Sequence, residues 1–349
     1  MRRWLWVLVV LVVLGVAGGG AVAAALRAVD APFRGYDGTE QFVDIAPGTG
    51  TAAIGAQLVE AGVVSHPLIF RLALWRTGQA RALKAGDYRF AEPMSAREVV
   101  GVLARGEVYA RAITFREGLT LREMAQHFAA QGFGPADDFL EAARASALIS
   151  DLDPDAADLE GYLFPDTYSL PRRASAADLV VRMVTLFRRH YEGPLFDAVR
   201  AAGLTTRQVV TLASLVEKET ALADERPLVA AVYRNRWKIG MGMQADPTVI
   251  YALVQRGTYT GNLTRADLQV DSPYNTYRYG GLPPGPIAAP GLASLEAAVH
   301  PAEATHLYFV SRNDGSHVFA DTLAEHNRNV QRWQVEYFRQ RRQAARTPR

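Results

Sequence analysis

The chain has 349 residues, 49% of them hydrophobic and 21% charged, an ordinary globular composition with length for two or three folded units. Its 38 basic and 36 acidic residues nearly cancel to +2, so no global field draws in a polyanion and nucleic acid is not an expected partner. The absence of cysteine excludes a disulfide framework, thiolate zinc sites and a cysteine nucleophile.

From Trp4 to Leu26 no residue is charged, a run of roughly 23 residues with Val and Leu at its centre. About 20 apolar residues suffice to cross ~30 Å of hydrocarbon. Arg2 and Arg3 precede the run, and positive residues stay on the cytoplasmic side. These features predict a cytoplasmic N-terminus over 1–3, a transmembrane helix over 4–26 and a single-pass protein of the inner (cytoplasmic) membrane. A buried core helix is disfavoured by the unbroken Val and Leu with no polar face, and a cleaved signal peptide is the main alternative to the anchor, since Ala21-Val22-Ala23 resembles a cleavage site. Both readings place the bulk of the chain in the periplasmic or extracytoplasmic space.

Residues 27–40 read as a linker punctuated by Pro and Gly. A small module is expected over 41–108. Phe42-Val43-Asp44-Ile45 is strand-like, Pro47 to Gly50 is a turn, and Ile54, Leu58 and Val59 mark a helix. A second helix runs from about Pro67 to Trp75, Gly86 to Phe90 returns as a strand, and Ser95 caps a helix through Val99, Val100 and Leu103. This β-α-α-β order resembles the LysM-like unit of cell-wall proteins.

A larger, mainly helical domain with short strands is expected over 109–338. Ala112 to Phe115 is a strand, and Leu121, Met124, Ala125 and Phe128 share one side of a helix. An acidic stretch around 150–158 ends at Glu160-Gly161-Tyr162-Leu163-Phe164-Pro165-Asp166-Thr167-Tyr168. Helical patterning dominates from about Leu179, with strands near Leu307 to Val310 and His317 to Phe319. Residues 339–349 read as a disordered basic tail. The expected class is α+β, and no internal repeat is visible.

The segment Val209 to Thr220 carries the most chemical information. Thr205 or Thr206 can cap a helix whose Val/Leu spacing suits burial. Glu219 follows Val216, Leu215 and Leu212 by three, four and seven residues, so it continues their apolar stripe. Glu217 falls at the stripe's edge, and Lys218 points away. A carboxyl on an apolar face has its neutral form favoured, as a general acid near neutral pH requires. The competing reading is a glutamate that turns outward into water at a helix end, the default for this residue type.

Four separated motifs carry a family resemblance. Ala213-Ser214-Leu215-Val216-Glu217-Lys218-Glu219-Thr220 is similar to the signature of the MltG (YceG-like) endolytic murein transglycosylases. So are Gln244-Ala245-Asp246-Pro247-Thr248-Val249-Ile250-Tyr251, Tyr274-Asn275-Thr276-Tyr277 and Gly281-Leu282-Pro283-Pro284-Gly285-Pro286-Ile287. The likeness extends over nearly the whole chain, including Phe164 to Tyr168 and Ala324-Glu325-His326-Asn327. It implies a lysozyme-like catalytic domain with Glu219 as the catalytic acid/base.

The implied reaction breaks the MurNAc–GlcNAc bond of peptidoglycan glycan strands without water. Neutral Glu219 protonates the leaving oxygen, and the carboxylate then takes the proton of the sugar's own 6-hydroxyl, which closes a 1,6-anhydro ring. Most glycosidases use two carboxylates; a substrate that supplies its own nucleophile needs one.

Tyr274, Asn275, Thr276 and Tyr277 then suit one wall of a saccharide groove, with flat rings and short polar groups, or else a Tyr-containing turn after Ser272-Pro273. Gln244, Asp246 and Thr248 suit the other wall, or a helix cap. No cofactor or metal is expected, since no His-Glu-x-x-His, Gly-x-Ser-x-Gly or phosphate-binding Gly-Lys-Ser/Thr loop occurs. His326, Asn327 and Asn329 suit a closing turn and helix. Peptidoglycan synthases (penicillin-binding proteins) are partners at the family level. The readings that compete with the lytic enzyme are a non-catalytic peptidoglycan-binding scaffold and a hydrolytic muramidase.

Overall fold

The computed structural model describes residues 2–344; Met1 and residues 345–349, the end of the expected tail, lie outside the described residues. The chain divides into two units, Met1–Ala112 with Ser169–Arg173 and Ile113–Tyr168 with Ala174–Arg349. Both combine helices with short two-stranded sheets, an α+β construction.

The first unit opens with α1 (Arg2–Asp30), then β1 (Gln41–Ile45), α2 (Thr51–Glu60), α3 (Pro67–Thr77), β2 (Gly86–Phe90) and α4 (Ala96–Arg105). β1 and β2 pair antiparallel, with Val43 opposite Tyr88. Alternation along each strand sends Val43, Ile45, Tyr88 and Phe90 inward, where they meet Leu58, Phe70, Val99 and Leu103. Ser95 and Glu98 form a reciprocal capping box that starts α4, and Gly106 in the left-handed conformation ends it.

The expectation of a transmembrane helix over 4–26, and with it a single-pass inner-membrane location, is corrected by this unit. Among the described residues no helix is long and apolar enough to cross a membrane. α1 does not stop at Leu26 but continues through the first residues of the expected linker to Asp30. Its last turns dock by tertiary contact. Val29 is fully buried in the unit's core, and Asp30 pairs with Arg76 at 2.7 Å and Arg97 at 3.1 Å. The second half of the apolar run is mostly Gly and Ala, which bury little apolar surface per residue.

β3 (Ala110–Thr114) pairs with β4 (Thr167–Pro171), and between them lie α5 (Leu121–Ala130) and α6 (Ala136–Ala142). The second unit continues through α7 (Ala176–Tyr191), α8 (Pro194–Ala201), α9 (Thr206–Glu219), α10 (Arg226–Lys238), α11 (Asp246–Gln255) and α12 (Leu292–Val299). It closes with the hairpin β5 (Tyr308–Ser311) and β6 (His317–Ala320), α13 (Leu323–Val330), a π-helical stretch and α14 (Tyr337–Ala344), so the start of the expected tail is helical.

α9 is the central element of this unit, packed against α10, α11 and α12. Every residue from Val209 to Val216 is buried, including Thr211 and Ser214. The Thr205–Gln208 capping box fixes its start. Ser214 donates to the Thr211 carbonyl at 2.7 Å and accepts from Ile287 N at 3.1 Å, pinning the Pro-rich loop to the helix. The same loop crosses Gly161, whose φ of +83° and lack of a side chain admit it: a Cβ there would lie 2.4 Å from Pro286 Cβ. Gly161→Ala is therefore expected to lower the stability of this unit by about 2–4 kcal/mol, through left-handed strain plus overpacking. Urea unfolding followed by near-UV circular dichroism measures it.

Candidate active site

α9 ends at Glu219 because Thr220 leaves the helix in an extended conformation, its amide still bonded to the Val216 carbonyl at 3.3 Å. The two glutamates of this last turn meet opposite environments. Glu217, whose side chain is 6% exposed, pairs with Arg226 at 3.3 Å and accepts from Gly291 N at 3.1 Å and Ser294 Oγ at 2.7 Å. It is a buried, fully compensated anion that anchors the start of α12.

Glu219 instead faces a cavity of about 240 Å³. Its Oε1 accepts a 2.6 Å hydrogen bond from the Tyr233 hydroxyl. Burial pushes its carboxyl above the usual range, and the charge of Asp246 adds to this. The Tyr233 bond and the positive fields of His317 and Arg236 oppose the shift without overcoming it.

Of the groove residues expected from sequence, Gln244, Asp246 and Tyr277 line this cavity with Glu219. Tyr277 donates to Asp246 Oδ1 at 2.6 Å, tying one wall to the other. Gln244 has φ +49°, a left-handed backbone rare for a residue with a side chain, and its amide bonds the Thr276 carbonyl at 3.3 Å. Its side chain is exposed at the rim.

Thr248, Asn275 and Thr276 are buried beneath the wall, away from the cavity. Thr248 donates to the Ala245 carbonyl at 2.7 Å, so the 2.9 Å contact between the threonine hydroxyls is a bond donated by Thr276. Thr276 Oγ1 in turn accepts from Ala245 N at 3.0 Å. Asn275 spends its amide on the Leu268 and Val270 carbonyls and its oxygen on Tyr277 N. Thr248 and Thr276 are the clasp that holds the tyrosine turn against the start of α11, and Asn275 ties the turn to Leu268 and Val270.

Tyr274 goes elsewhere. Its ring packs tilted against Tyr251, centroids 4.8 Å apart, beside a second, smaller cavity of about 150 Å³ over Glu160. Glu160 accepts from Leu121 N at 3.1 Å and Tyr251 OH at 3.2 Å, and burial, with the neighbouring charge of Asp158, pushes its carboxyl up to about 8.

Tyr233, Arg236, Met243, Phe309 and His326 complete the first cavity, and of these the sequence had marked only His326. Tyr233 and Arg236 stand three apart on α10, among Val229, Ala230 and Val232 on its buried side. A tyrosine and an arginine on an otherwise apolar face were the available signal. Arg236 donates to the Leu307 and Met243 carbonyls, both at 2.6 Å, and so holds β5 and the Gln244 segment in place. His326 stacks at 5.1 Å on Tyr308. Burial lowers its pKa, which keeps the ring neutral near pH 7. No cluster able to hold a metal ion occurs among the described residues.

An α+β protein with one desolvated carboxyl in a polar, aromatic-walled cavity has the equipment of a general acid acting on a hydroxylated substrate. Comparison with known proteins assigns the family. Residues 43–332 match the YceG-like family. An endolytic murein transglycosylase of Bacillus subtilis is 30% identical, covering 83% of this chain and 84% of that protein. An endolytic murein transglycosylase of Streptococcus pneumoniae is also 30% identical over 90% of this chain, which spans 62% of that longer protein. The crystal structure of a yceG-like protein from Listeria monocytogenes superposes with a TM-score of 0.57 at 30% identity, covering 83% of this chain and 99% of that one. The chain belongs to the YceG-like family.

The raised pKa of Glu160 has a stability consequence. Between about pH 4.5 and 8 the folded protein keeps a proton that the unfolded chain releases, so stability falls as pH rises across that window. The slope contributed approaches ~1.4 kcal/mol per pH unit. Glu160→Gln removes this dependence. Urea midpoints of wild type and variant at pH 5 to 8 should shift steadily in the variant's favour as pH rises.

Proposed function

We propose that the protein is an endolytic murein transglycosylase that cuts within the glycan strands of peptidoglycan, with Glu219 as its single acid/base. The observation that carries this reading is the Glu219 carboxyl itself, desolvated, raised in pKa and open to a cavity. It stands in the family's Glu-Lys-Glu-Thr run, at the second glutamate. Its relatives' names supply the substrate, and the site's chemistry fits it.

In the first half-reaction neutral Glu219 gives its proton to the oxygen leaving C1 of N-acetylmuramic acid. The C1–O bond to N-acetylglucosamine breaks, and charge develops on the sugar ring. In the second, the 6-hydroxyl of the same sugar bonds to C1 while its proton passes to the Glu219 carboxylate. The acid is restored, no water is consumed, and the products are a free 4-hydroxyl and a 1,6-anhydro end. Closure within one sugar has the effective-concentration advantage of a tethered nucleophile, which removes the need for a second catalytic carboxylate.

Asp246 is held by Tyr277, and together they form a polar wall against which sugar hydroxyls and an N-acetyl group can bond. Tyr277 is 38% exposed and offers a flat face for a pyranose ring. The β-α-α-β order of the first unit supports a LysM-like role in holding glycan. An enzyme cutting nascent strands would work beside peptidoglycan synthases.

Digestion of purified sacculi by the full chain, read by mass spectrometry, tests the proposal. Wild type should release fragments with anhydromuramic ends. Glu219→Gln should lower that yield by about 10²- to 10⁴-fold. Its unfolding midpoint at pH 7 should equal or exceed that of wild type, because a carboxyl of raised pKa destabilises the fold once ionised. Reducing ends from wild type would assign the reaction to a hydrolase, and undiminished anhydro ends from the variant would remove Glu219 from its role.

A further inference from the structure

A carboxylic acid has two oxygens, and a general acid works only if its proton sits on the one that faces the substrate. At Glu219 the two are not equivalent. Oε1 accepts from Tyr233 at 2.6 Å, while Oε2 has no hydrogen-bond partner among the described residues. Tyr233 is 1% exposed and its ring meets Phe309 edge-on, with centroids 6.0 Å apart. Burial and the adjacent carboxylate hold its phenol well above the ordinary value. It therefore stays protonated, and a donor, at any pH the fold tolerates.

An oxygen that already accepts from a phenol is the carbonyl oxygen of the neutral acid. The carbonyl oxygen of an acid accepts far better than its hydroxyl oxygen, so the short phenol contact at Oε1 favours the acidic hydrogen on Oε2. We propose that Tyr233 is a positioning residue that confines the acidic proton of Glu219 to Oε2 and then stabilises the carboxylate left when that proton departs. This rests on the reading of Glu219 as the acid.

The same bond serves both halves of the reaction but not equally. With Glu219 neutral it joins two uncharged groups. Once the proton has left it becomes charge-assisted, shorter in character and about twice as strong. An interaction that strengthens as charge develops stabilises the transition state more than the ground state.

The other ionisable groups around Glu219 lie on several elements: Asp246 on α11, Arg236 on α10, His317 on β6, and His326 on α13 across the cavity. Tyr277 holds Asp246, Glu225 holds His317 at 2.7 Å, and backbone carbonyls hold Arg236. None of them contacts the Tyr233 hydroxyl by a hydrogen bond, so removing that hydroxyl alone leaves the surrounding charges in place.

Tyr233→Phe keeps the ring and deletes the donor. In the full chain with ¹³C-labelled glutamate carboxyls, the Glu219 signal, assigned by its loss in Glu219→Gln, should titrate at higher pH in Tyr233→Phe than in wild type. Glycan cleavage should show the matching change: the limb where activity falls with rising pH moves upward. kcat should drop by about 10- to 100-fold, the range of a hydrogen bond to a charged group, with KM little altered. An unmoved carboxyl titration overturns the inference. So does a loss of activity that is uniform across pH and accompanied by a lower unfolding midpoint, the pattern of a purely structural tyrosine. The two readings fail separately: wild type that forms no anhydro ends sinks the enzymatic reading, whereas the carboxyl titration judges Tyr233 by itself.

Discussion

Burying a carboxyl without a countercharge is the constraint on which the second unit is built. An ionised carboxylate removed from water loses several kcal/mol of hydration, and a protein recovers this only by pairing the charge or keeping the proton. Among the described residues no cation is bonded to the Glu219 carboxyl. Arg236, which lines the same cavity, has two of its nitrogens committed to the carbonyls of Leu307 and Met243. A single phenol donates to one oxygen, and Asp246 adds negative potential. The proton is thereby retained to higher pH than in a free glutamate.

Glu217 solves the same problem in the other way, two residues earlier on the same helix. Arg226, Gly291 N and Ser294 supply charge and donors, so that side chain is buried as an anion and organises α12. A Cβ at position 291 would fall 1.8 Å from Glu117 Oε1, so any larger residue there would have to displace the Glu117 carboxylate. One turn of helix therefore carries a structural carboxylate and a chemically available acid. The difference lies entirely in what distant segments place against each.

The tyrosine turn divides its labour in a similar manner. Tyr277 reaches the Glu219 cavity, Tyr274 the cavity over Glu160, while between them Thr276 holds the turn to α11 and Asn275 holds it to Leu268 and Val270. The Thr248–Thr276 clasp fixes the turn from which both tyrosines project. The strained φ of Gln244 is held by the same turn, through the Thr276 carbonyl.

Much of this was legible in the amino-acid order. Capping residues and apolar spacing marked the helix that became Thr206–Glu219, alternation marked β1 and β2, and four ordered motifs pointed to the family. These signals are local, since capping and periodicity depend on residues within a few positions of each other. Hydropathy was misleading at the N-terminus, because counting apolar residues does not register a helix whose last turns, at Val29 and Asp30, dock into a folded unit. Tertiary structure alone decided that Tyr233 and Arg236 meet Glu219, that Tyr277 faces the cavity and Thr276 does not, and that Glu217 finds its cation. Those outcomes depend on contacts between different elements, from nine positions apart for Glu217 and Arg226 to 31 for Tyr277 and Asp246, and the dielectric and hydrogen bonds that govern a carboxyl's proton are made by those elements.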